Sequence, residues 1–197
     1  MRKIFFVIPI VTMCLFARFA NAGESIPLAL NAPKNITQDA CKVPVWKGLA
    51  VFWGGVKDKR QAPEIGVQTQ KGKEPIPVIS NPPLEELFNT ALKDMFASCG
   101  MKFVSKDGDS ILKLSAEIRD FYVGVEKKLL TGKSEAKSSI AFLTLKENQS
   151  SSVTVGYEIE SKKIRSGDIK QLQKTLDELF AETIKQIPKT QEMKELK

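Results

Sequence analysis

The stretch SILKLSAEIRDFYVGV, Ser110–Val125, shows most directly how the chain is built. Its first half alternates apolar and polar side chains with a period of two, which is typical of a β-strand with one buried face. The alternation slips by one residue at Asp120, after which Phe121 takes an apolar position. Because a one-residue slip exchanges the two faces of a strand, a bulge or bend is predicted near Asp120.

Two further strands are predicted after this one. They are KSSIAFLTL, residues 137–145, and VTVGYEIES, residues 153–161, and the polar turn between them suits an antiparallel hairpin. Before the central stretch, LAVFW at residues 49–53 and PIPVIS at residues 75–80 are also predicted strands. The sequence between these last two is interpreted as a turn or bulge at Gly54-Gly55 followed by a polar loop.

Two amphipathic helices complete the predicted elements. Residues 84–96 repeat apolar side chains at helical spacing, after Asn81 as the predicted N-cap and before Gly100 as the stop. A second apolar stripe runs from Ile169 to Ile187, and Pro188 is expected to end it. The order of elements predicts an α+β domain with two helices packed on one face of a mainly antiparallel β-sheet.

The predicted organisation has four parts. These are a signal peptide at residues 1–22, an extended leader at residues 23–45, one α/β domain at residues 46–188 and a charged tail at residues 189–197.

The N-terminus has the layout of a secretory signal. Two basic residues precede an apolar run, and Arg18 interrupts that run too early for a transmembrane helix, which needs about 20 apolar residues. Small side chains predict cleavage between Ala22 and Gly23, which would release the chain into the periplasm without an integral membrane span. The alternative is an outer-membrane lipoprotein that begins at Cys14, but bulky Met13 precedes that cysteine inside the apolar run.

Removal of the signal leaves Cys41 and Cys99. An even pair of cysteines in an oxidising compartment predicts a disulfide that would join the leader to the end of the first helix. The alternative is a reactive thiol, which would need a CxxC-like neighbour that neither cysteine has.

The composition excludes several classes of activity. The chain has no histidine, which excludes Ser-His-Asp and Cys-His catalysis and the commonest zinc sites. It lacks P-loop, GxGxxG and EF-hand motifs, and the DGDS tetrapeptide at residues 107–110 is interpreted as a turn, so no cofactor or metal is predicted. The net charge of +7 comes without a dense basic patch, so no nucleic-acid partner is predicted.

An aromatic surface is the main candidate for binding. Trp46 and Trp53 lie at the first long strand, where some aromatic side chains are expected to face outward. Phe121 and Tyr122 lie beside the phase slip, where a bulge can direct a side chain towards a partner. The structural alternatives are that the tryptophans cover the sheet edge and that the bent strand closes over the helices.

Paired carboxylates offer an enzymatic alternative. Glu117 with Asp120, or Glu158 with Glu160, could serve a histidine-free hydrolase of peptidoglycan or glycan. The second pair falls on the polar face of its strand, where solvated side chains are the default.

The chain resembles the YajG-like envelope proteins, which are usually lipoproteins of Gram-negative bacteria. The resemblance rests on GLAVFWGGVKDKRQ at residues 48–61, PLEELFNTALKDMFASCGMKF at residues 83–103 and SILKLSAEIRDFYVGV, and it extends over roughly residues 46–187. It implies an α/β envelope domain and supplies no catalytic signature. The chain differs from the family in lacking a lipobox.

These observations favour a non-enzymatic periplasmic binding or accessory protein. The predicted partner is another envelope component, either a protein or a glycan or lipid, contacted through a sheet edge or the aromatic surface. The alternatives are the carboxylate hydrolase and a purely structural subunit that self-associates.

Overall fold

A mixed eight-stranded sheet is the framework of the protein. The computed structural model describes residues 25–31, 41, 46–68, 74–105, 112–126, 133–146, 149–161 and 169–195. The predicted signal peptide and the DGDS tetrapeptide lie outside the described residues.

The described elements are eight strands, three α-helices and one turn of 3₁₀ helix. The strands are β1 (Ile26–Leu28), β2 (Ala50–Asp58), β3 (Glu64–Gln68), β4 (Ile76–Ser80), β5 (Lys102–Phe103), β6 (Leu112–Glu126), β7 (Lys133–Lys146) and β8 (Gln149–Ser161). The helices are α1 (Leu84–Ser98), α2 (Ile169–Gln186) and α3 (Gln191–Lys194), with the 3₁₀ turn at Ile187–Lys189.

The long strand β6 organises the sheet. On one side it pairs with β7 in antiparallel fashion along its length, and β7 pairs in the same way with β8. On its other side it pairs in parallel with β2, and further along with β3 through Gly66 and Val123. The strand β4 is antiparallel to β3, while β1 lies parallel to β4 and β5 parallel to β2.

The prediction of an α+β fold is confirmed, but the prediction of a mainly antiparallel sheet is wrong. Four of the strand pairs described above are parallel and three are antiparallel. The reason is the position of α1 along the chain. Because a helix between two strands allows the chain to cross over, β5 and β6 return in the same direction as β2.

The irregularities expected in the two long strands are present. The register of β6 against β7 shifts between Ile118 and Asp120, as the phase slip predicts. The register of β2 against β6 shifts between Trp53 and Val56, at the two glycines. Both shifts are β-bulges or similar irregularities, which bend a strand locally.

The sequence predicts a loop where the structure has the strand β3, so this prediction is wrong. Its Ile65 is fully buried, and its Gly66 lies where a Cβ would be 3.2 Å from Leu172 Cδ1 of α2 and 3.3 Å from the Val123 carbonyl oxygen. A strand of five residues that carries a glycine for close packing gives almost no periodic signal, which explains the error.

Aromatic side chains join the helices to the sheet. Phe88 of α1 packs edge-on against Phe121 of β6 and Phe180 of α2, with ring centroids 5.5 Å and 4.6 Å away. Phe96, about two helical turns further along α1, packs on Phe142 of β7. Such edge-to-face pairs stabilise a core beyond the effect of buried area alone.

The start of α1 differs from its prediction. Pro83 occupies the N-cap position and no side chain caps the helix, so the prediction of Asn81 as the cap is wrong. The two prolines separate Asn81 from the first turn, and its backbone N–H instead donates to the Leu28 carbonyl at 3.0 Å. That contact holds β1 against the end of β4.

The leader and the tail take part in the core. Leu28 and Leu30 of the leader and Met193 of α3 all belong to the main hydrophobic cluster. The predicted disulfide between Cys41 and Cys99 is present and closes a loop with a sequence separation of 58. In the chain-entropy account such a loop closure stabilises the fold by about 4 kcal/mol.

None of the helices in the described part of the chain has the length and apolar character needed to cross a bilayer.

Candidate functional site

Two of the four aromatic residues of the predicted surface lie in the core. Trp46 is fully buried, and its indole Nε1–H donates to the Met193 carbonyl at 2.8 Å. Phe121 is 1% exposed because the bulge at Asp120 turns it towards Phe88. Neither residue can therefore contribute to an exposed surface, and that part of the prediction is wrong.

The other two residues lie on different sides of the sheet. Trp53 is partly exposed, packs beside Phe96 at 5.9 Å and donates from Nε1 to Asn89 Oδ1 at 2.8 Å. Tyr122 is 39% exposed on the opposite side. The structure does not unite the four aromatics, and a binding role for Trp53 or Tyr122 stays a prediction.

The DKRQ turn at residues 58–61 is a structural corner. The guanidinium of Arg60 is 8% exposed and holds the Asp58 carboxylate in a two-pronged ion pair, with Nη2 to Oδ2 at 2.8 Å and Nε to Oδ1 at 3.0 Å. Its remaining N–H groups donate to the carbonyls of Glu64, Phe121 and Pro63. All five donors of the side chain have acceptors, so Arg60 ties β2 and β3 to the bulge of β6 and has no donor left for a ligand.

An open groove crosses the sheet on the face opposite the core, and we call it the outer groove. It has a volume of about 700 Å³ and is formed by side chains that alternate with the core residues of β2, β6, β7 and β8. Phe52, Leu143 and Leu145 supply its large apolar side chains, and Leu145 is 36% exposed. Ligand sites in proteins have volumes of about 300 to 1,000 Å³ and are mostly apolar, so the outer groove has suitable dimensions.

Strand register explains how the apolar side chains meet. Phe52 is paired with Lys113, which is paired with Leu145, so the three lie in one row across β2, β6 and β7. Leu143 lies in the next row, beside Ser115. Gly54 of the β2 bulge lies beside this second row and has no side chain, so the groove is deeper at this point. A Cβ at Gly54 would be 3.1 Å from the Ser115 Cβ. The bulge therefore helps to form the floor.

The sequence contains a signal for this groove that the aromatic hypothesis overlooked. Residues 140–143 of β7 read Ile-Ala-Phe-Leu, so apolar side chains lie on both faces of the strand. A strand that is apolar on both faces is typical of a sheet covered on both sides. Leu143 is an outward member of this run, and Leu145 lies on the same face two residues further along.

Charged side chains border the groove. Lys57, Lys113 and Glu117 contribute to its lining. Glu117 pairs with Arg119 at 3.5 Å, and Asp120 pairs with Lys137 at 3.4 Å. The two carboxylates of the hydrolase hypothesis are thus each beside a separate cation.

A smaller polar hollow lies further along the same face. Lys59, Glu64, Arg119 and Tyr122 are among its lining residues. Burial, followed by the negative charge of Glu64, raises the pKa of the Tyr122 phenol above its ordinary value of 10.0. Tyr122 is therefore a neutral hydrogen-bonding group at physiological pH.

Comparison with known proteins places the chain in a family. The sequence pattern of the family described as "Uncharacterized lipoprotein" matches residues 55–196, which is most of the chain. The chain belongs to this family. Membership points to an envelope-associated protein. A sequence comparison with curated proteins finds no match.

Several solved structures are similar to this lipoprotein-family chain. Protein XCC0632 from Xanthomonas campestris is 12% identical, with a TM-score of 0.56 over 83% of this chain and 93% of its own. The hypothetical protein CT253 from Chlamydia trachomatis (11% identity, TM-score 0.40, 72% and 96%) and lipoprotein GNA1162 from Neisseria meningitidis (10%, 0.35, 72% and 99%) are more distant. The first similarity shows a shared fold, and the other two add nothing to it.

Proposed function

We propose that this protein is a non-enzymatic accessory component of the bacterial cell envelope, of the YajG-like type, which binds another envelope component in the periplasm through the outer groove. The observation that carries the proposal is the groove itself. Three large apolar side chains, Phe52, Leu143 and Leu145, lie partly open on a sheet face where polar side chains are the usual choice. Its neighbours on the same face form ion pairs with one another.

Family membership supports an envelope location, and the N-terminal sequence supports export. The absence of histidine and the separate ion pairs of Glu117 and Asp120 favour binding over hydrolysis. The smaller hollow around Tyr122 extends the candidate surface along the sheet.

Site-specific photocross-linking in intact cells tests the proposal. A photoreactive amino acid is placed at Leu145 or Phe52 in the groove, and as a control at Lys174, which is exposed on α2. We expect a defined adduct from the groove positions and none from Lys174. Equal labelling at all three positions would remove the groove as the binding surface.

Hydrolysis is tested separately with the purified protein and with peptidoglycan as the substrate. We expect no turnover by the unaltered chain. Turnover that Glu117→Gln and Asp120→Asn each abolish would replace the binding hypothesis with the enzymatic one.

A further inference from the structure

The long strand β8 forms one edge of the sheet. It has 13 residues, and among the described strands only β7 pairs with it. The edges at β1 and β5 are formed by strands of three and two residues. An edge strand presents N–H and C=O groups that have no partner within its own sheet, so a long edge is a template for a further strand, whereas a very short one is not.

The sequence of β8 lacks the features that commonly prevent such pairing. It reads QSSSVTVGYEIES, with no lysine and no proline. Its register against β7 continues without a shift from one end of the strand to the other, so no bulge turns this edge away from a partner. The strand is therefore a regular edge that can accept another strand.

One face of β8 carries a row of apolar side chains that the chain covers only in part. Val155 is 3% exposed, whereas Val153, Tyr157 and Ile159 are partly buried and pack against the core. Because neighbouring strands pack their side chains together on the same face, a strand added beside β8 would cover more of this row. The row is symmetric about Gly156, with two apolar residues on each side at matching spacing.

This symmetry makes β8 complementary to itself. Antiparallel pairing of two copies about Gly156 places Val153 opposite Ile159 of the second copy. It also places Val155 opposite Tyr157, so every apolar residue of the row meets another. A register centred one residue away in either direction leaves one of the four opposite a serine. A strand from an unrelated protein would not require such symmetry in β8.

The charge on the strand favours the same arrangement. In a parallel, in-register pair, Glu158 would lie beside Glu158 of the second copy, and like charges in that position are destabilising. Antiparallel pairing about Gly156 places Glu158 opposite Thr154, which is exposed and uncharged. The antiparallel register therefore pairs the apolar residues and separates the glutamates.

From these observations we propose that two copies of the chain associate through β8, in antiparallel register about Gly156, and join their sheets into one. The same surface is used on both copies, so the contact closes as a two-fold dimer and does not continue into a fibre. Ser150 and Ser152 of β8 also line the outer groove, so the two grooves would lie on the same face of the joined sheet. The proposal goes beyond the proposed function and does not depend on what the groove binds.

Sedimentation velocity on the mature chain, from about 1 μM to about 0.1 mM, tests the proposal. We expect an equilibrium between monomer and dimer. Thr154→Glu should raise the dimer Kd about tenfold, because it places a glutamate opposite Glu158 at two symmetric positions. The double variant Thr154→Glu, Glu158→Lys should restore the Kd, since opposite charges then face each other. Lys102→Gln, an equal change of charge on exposed β5, is the matched control and should have no effect.

Disulfide cross-linking tests the register. Residues 154 and 158 are too far apart within one strand to bond to each other, but in the proposed dimer each faces the other across the two copies. The double variant Thr154→Cys, Glu158→Cys should therefore form a covalent dimer on mild oxidation, and neither single variant should. Circular dichroism on each variant shows whether the fold is retained. A chain that stays monomeric, or a dimer whose Kd a folded Thr154→Glu variant leaves unchanged, would overturn the proposal, as would equal cross-linking of the single and double cysteine variants.

Discussion

At the scale of single residues, Arg60 has a structural role that can be tested directly. Its side chain is 8% exposed and makes the ion pair with Asp58 together with the contacts to three carbonyls described above. Arg60→Gln should lower the free energy of unfolding by about 3 kcal/mol, because it removes the ion pair of the Asp58 carboxylate and the donors of three carbonyls. Arg60→Lys should give an intermediate loss, since an ammonium group cannot reproduce the planar fork. Urea unfolding measures both.

The control for this prediction is Arg119→Gln. The Arg119 side chain is 49% exposed and pairs with Glu117 at 3.5 Å, so its replacement should cost less than about 1 kcal/mol. Equal losses for Arg60→Gln and Arg119→Gln would contradict a structural role for the DKRQ turn.

Tyr122 gives a prediction about pH. Its pKa is raised by burial and by Glu64, so the folded chain keeps the phenolic proton at pH values where the unfolded chain has lost it. The stability that this proton contributes is complete below pH about 10 and is lost as the pH rises through and above that value. Relative to Tyr122→Phe, the unaltered chain should therefore lose stability above pH about 10. Urea titrations from about pH 8 to about pH 11 measure the difference, and parallel curves for the two proteins would contradict it.

At the scale of the elements, long periodic segments were predictable, and among the short ones β4 was predicted but β1, β3 and α3 were not. The sequences of β6, β7, β8 and both long helices repeat over enough residues to reveal their type. The slip at Asp120 even located the bulge. In contrast, β1, β3 and α3 have three to five residues each, and their place in the fold depends on distant partners. A local sequence pattern carries no information about those partners.

The same dependence on distant partners explains why the candidate site was only partly predictable. Exposure of an aromatic residue depends on what packs against it, and for Trp46 that is Met193, which is remote in sequence. A single strand cannot reveal such a contact. The outward leucines of β7 were visible as a run that is apolar on both faces, but the groove needs the glycine of the β2 bulge beside them.

A buried pair of hydroxyls joins β7 to α2. Ser138 Oγ and Thr183 Oγ1 are 2.5 Å apart, and Thr183 also donates to the Leu179 carbonyl at 2.6 Å. Thr183→Val should cost about 1 kcal/mol, because Ser138 loses its close partner and keeps only the longer hydrogen bond to the Tyr157 carbonyl at 3.3 Å. The double variant Ser138→Ala, Thr183→Val should cost less than the sum of the single variants, because each single variant already removes the contact between the two hydroxyls. Additive losses in thermal or urea unfolding would show that the two hydroxyls act independently.

At the scale of the whole molecule, the disulfide and the C-terminal helix join the described parts of the leader and the tail to the core. Cys41 is bonded to Cys99 at the end of α1, and Trp46 donates its hydrogen bond to the Met193 carbonyl in α3. The segments predicted as leader and tail therefore add to stability. Reduction should lower the free energy of unfolding by about 4 kcal/mol, and Cys41→Ser should reproduce that loss without reductant. An unfolding curve that does not respond to reductant would show that the bond does not form in solution.

Export and processing also belong to the molecule as a whole. Intact mass spectrometry of the protein from envelope fractions tests them. The sequence predicts a mature chain that begins at Gly23 and gains two hydrogens on reduction, since one disulfide opens. The alternative is a membrane-tethered product that begins at Cys14 and carries acyl groups. Membership of a lipoprotein family agrees with this alternative. The two masses have different consequences for the groove. A chain released at Gly23 would present the groove to components of the periplasm, whereas a chain anchored at Cys14 would present it close to one bilayer.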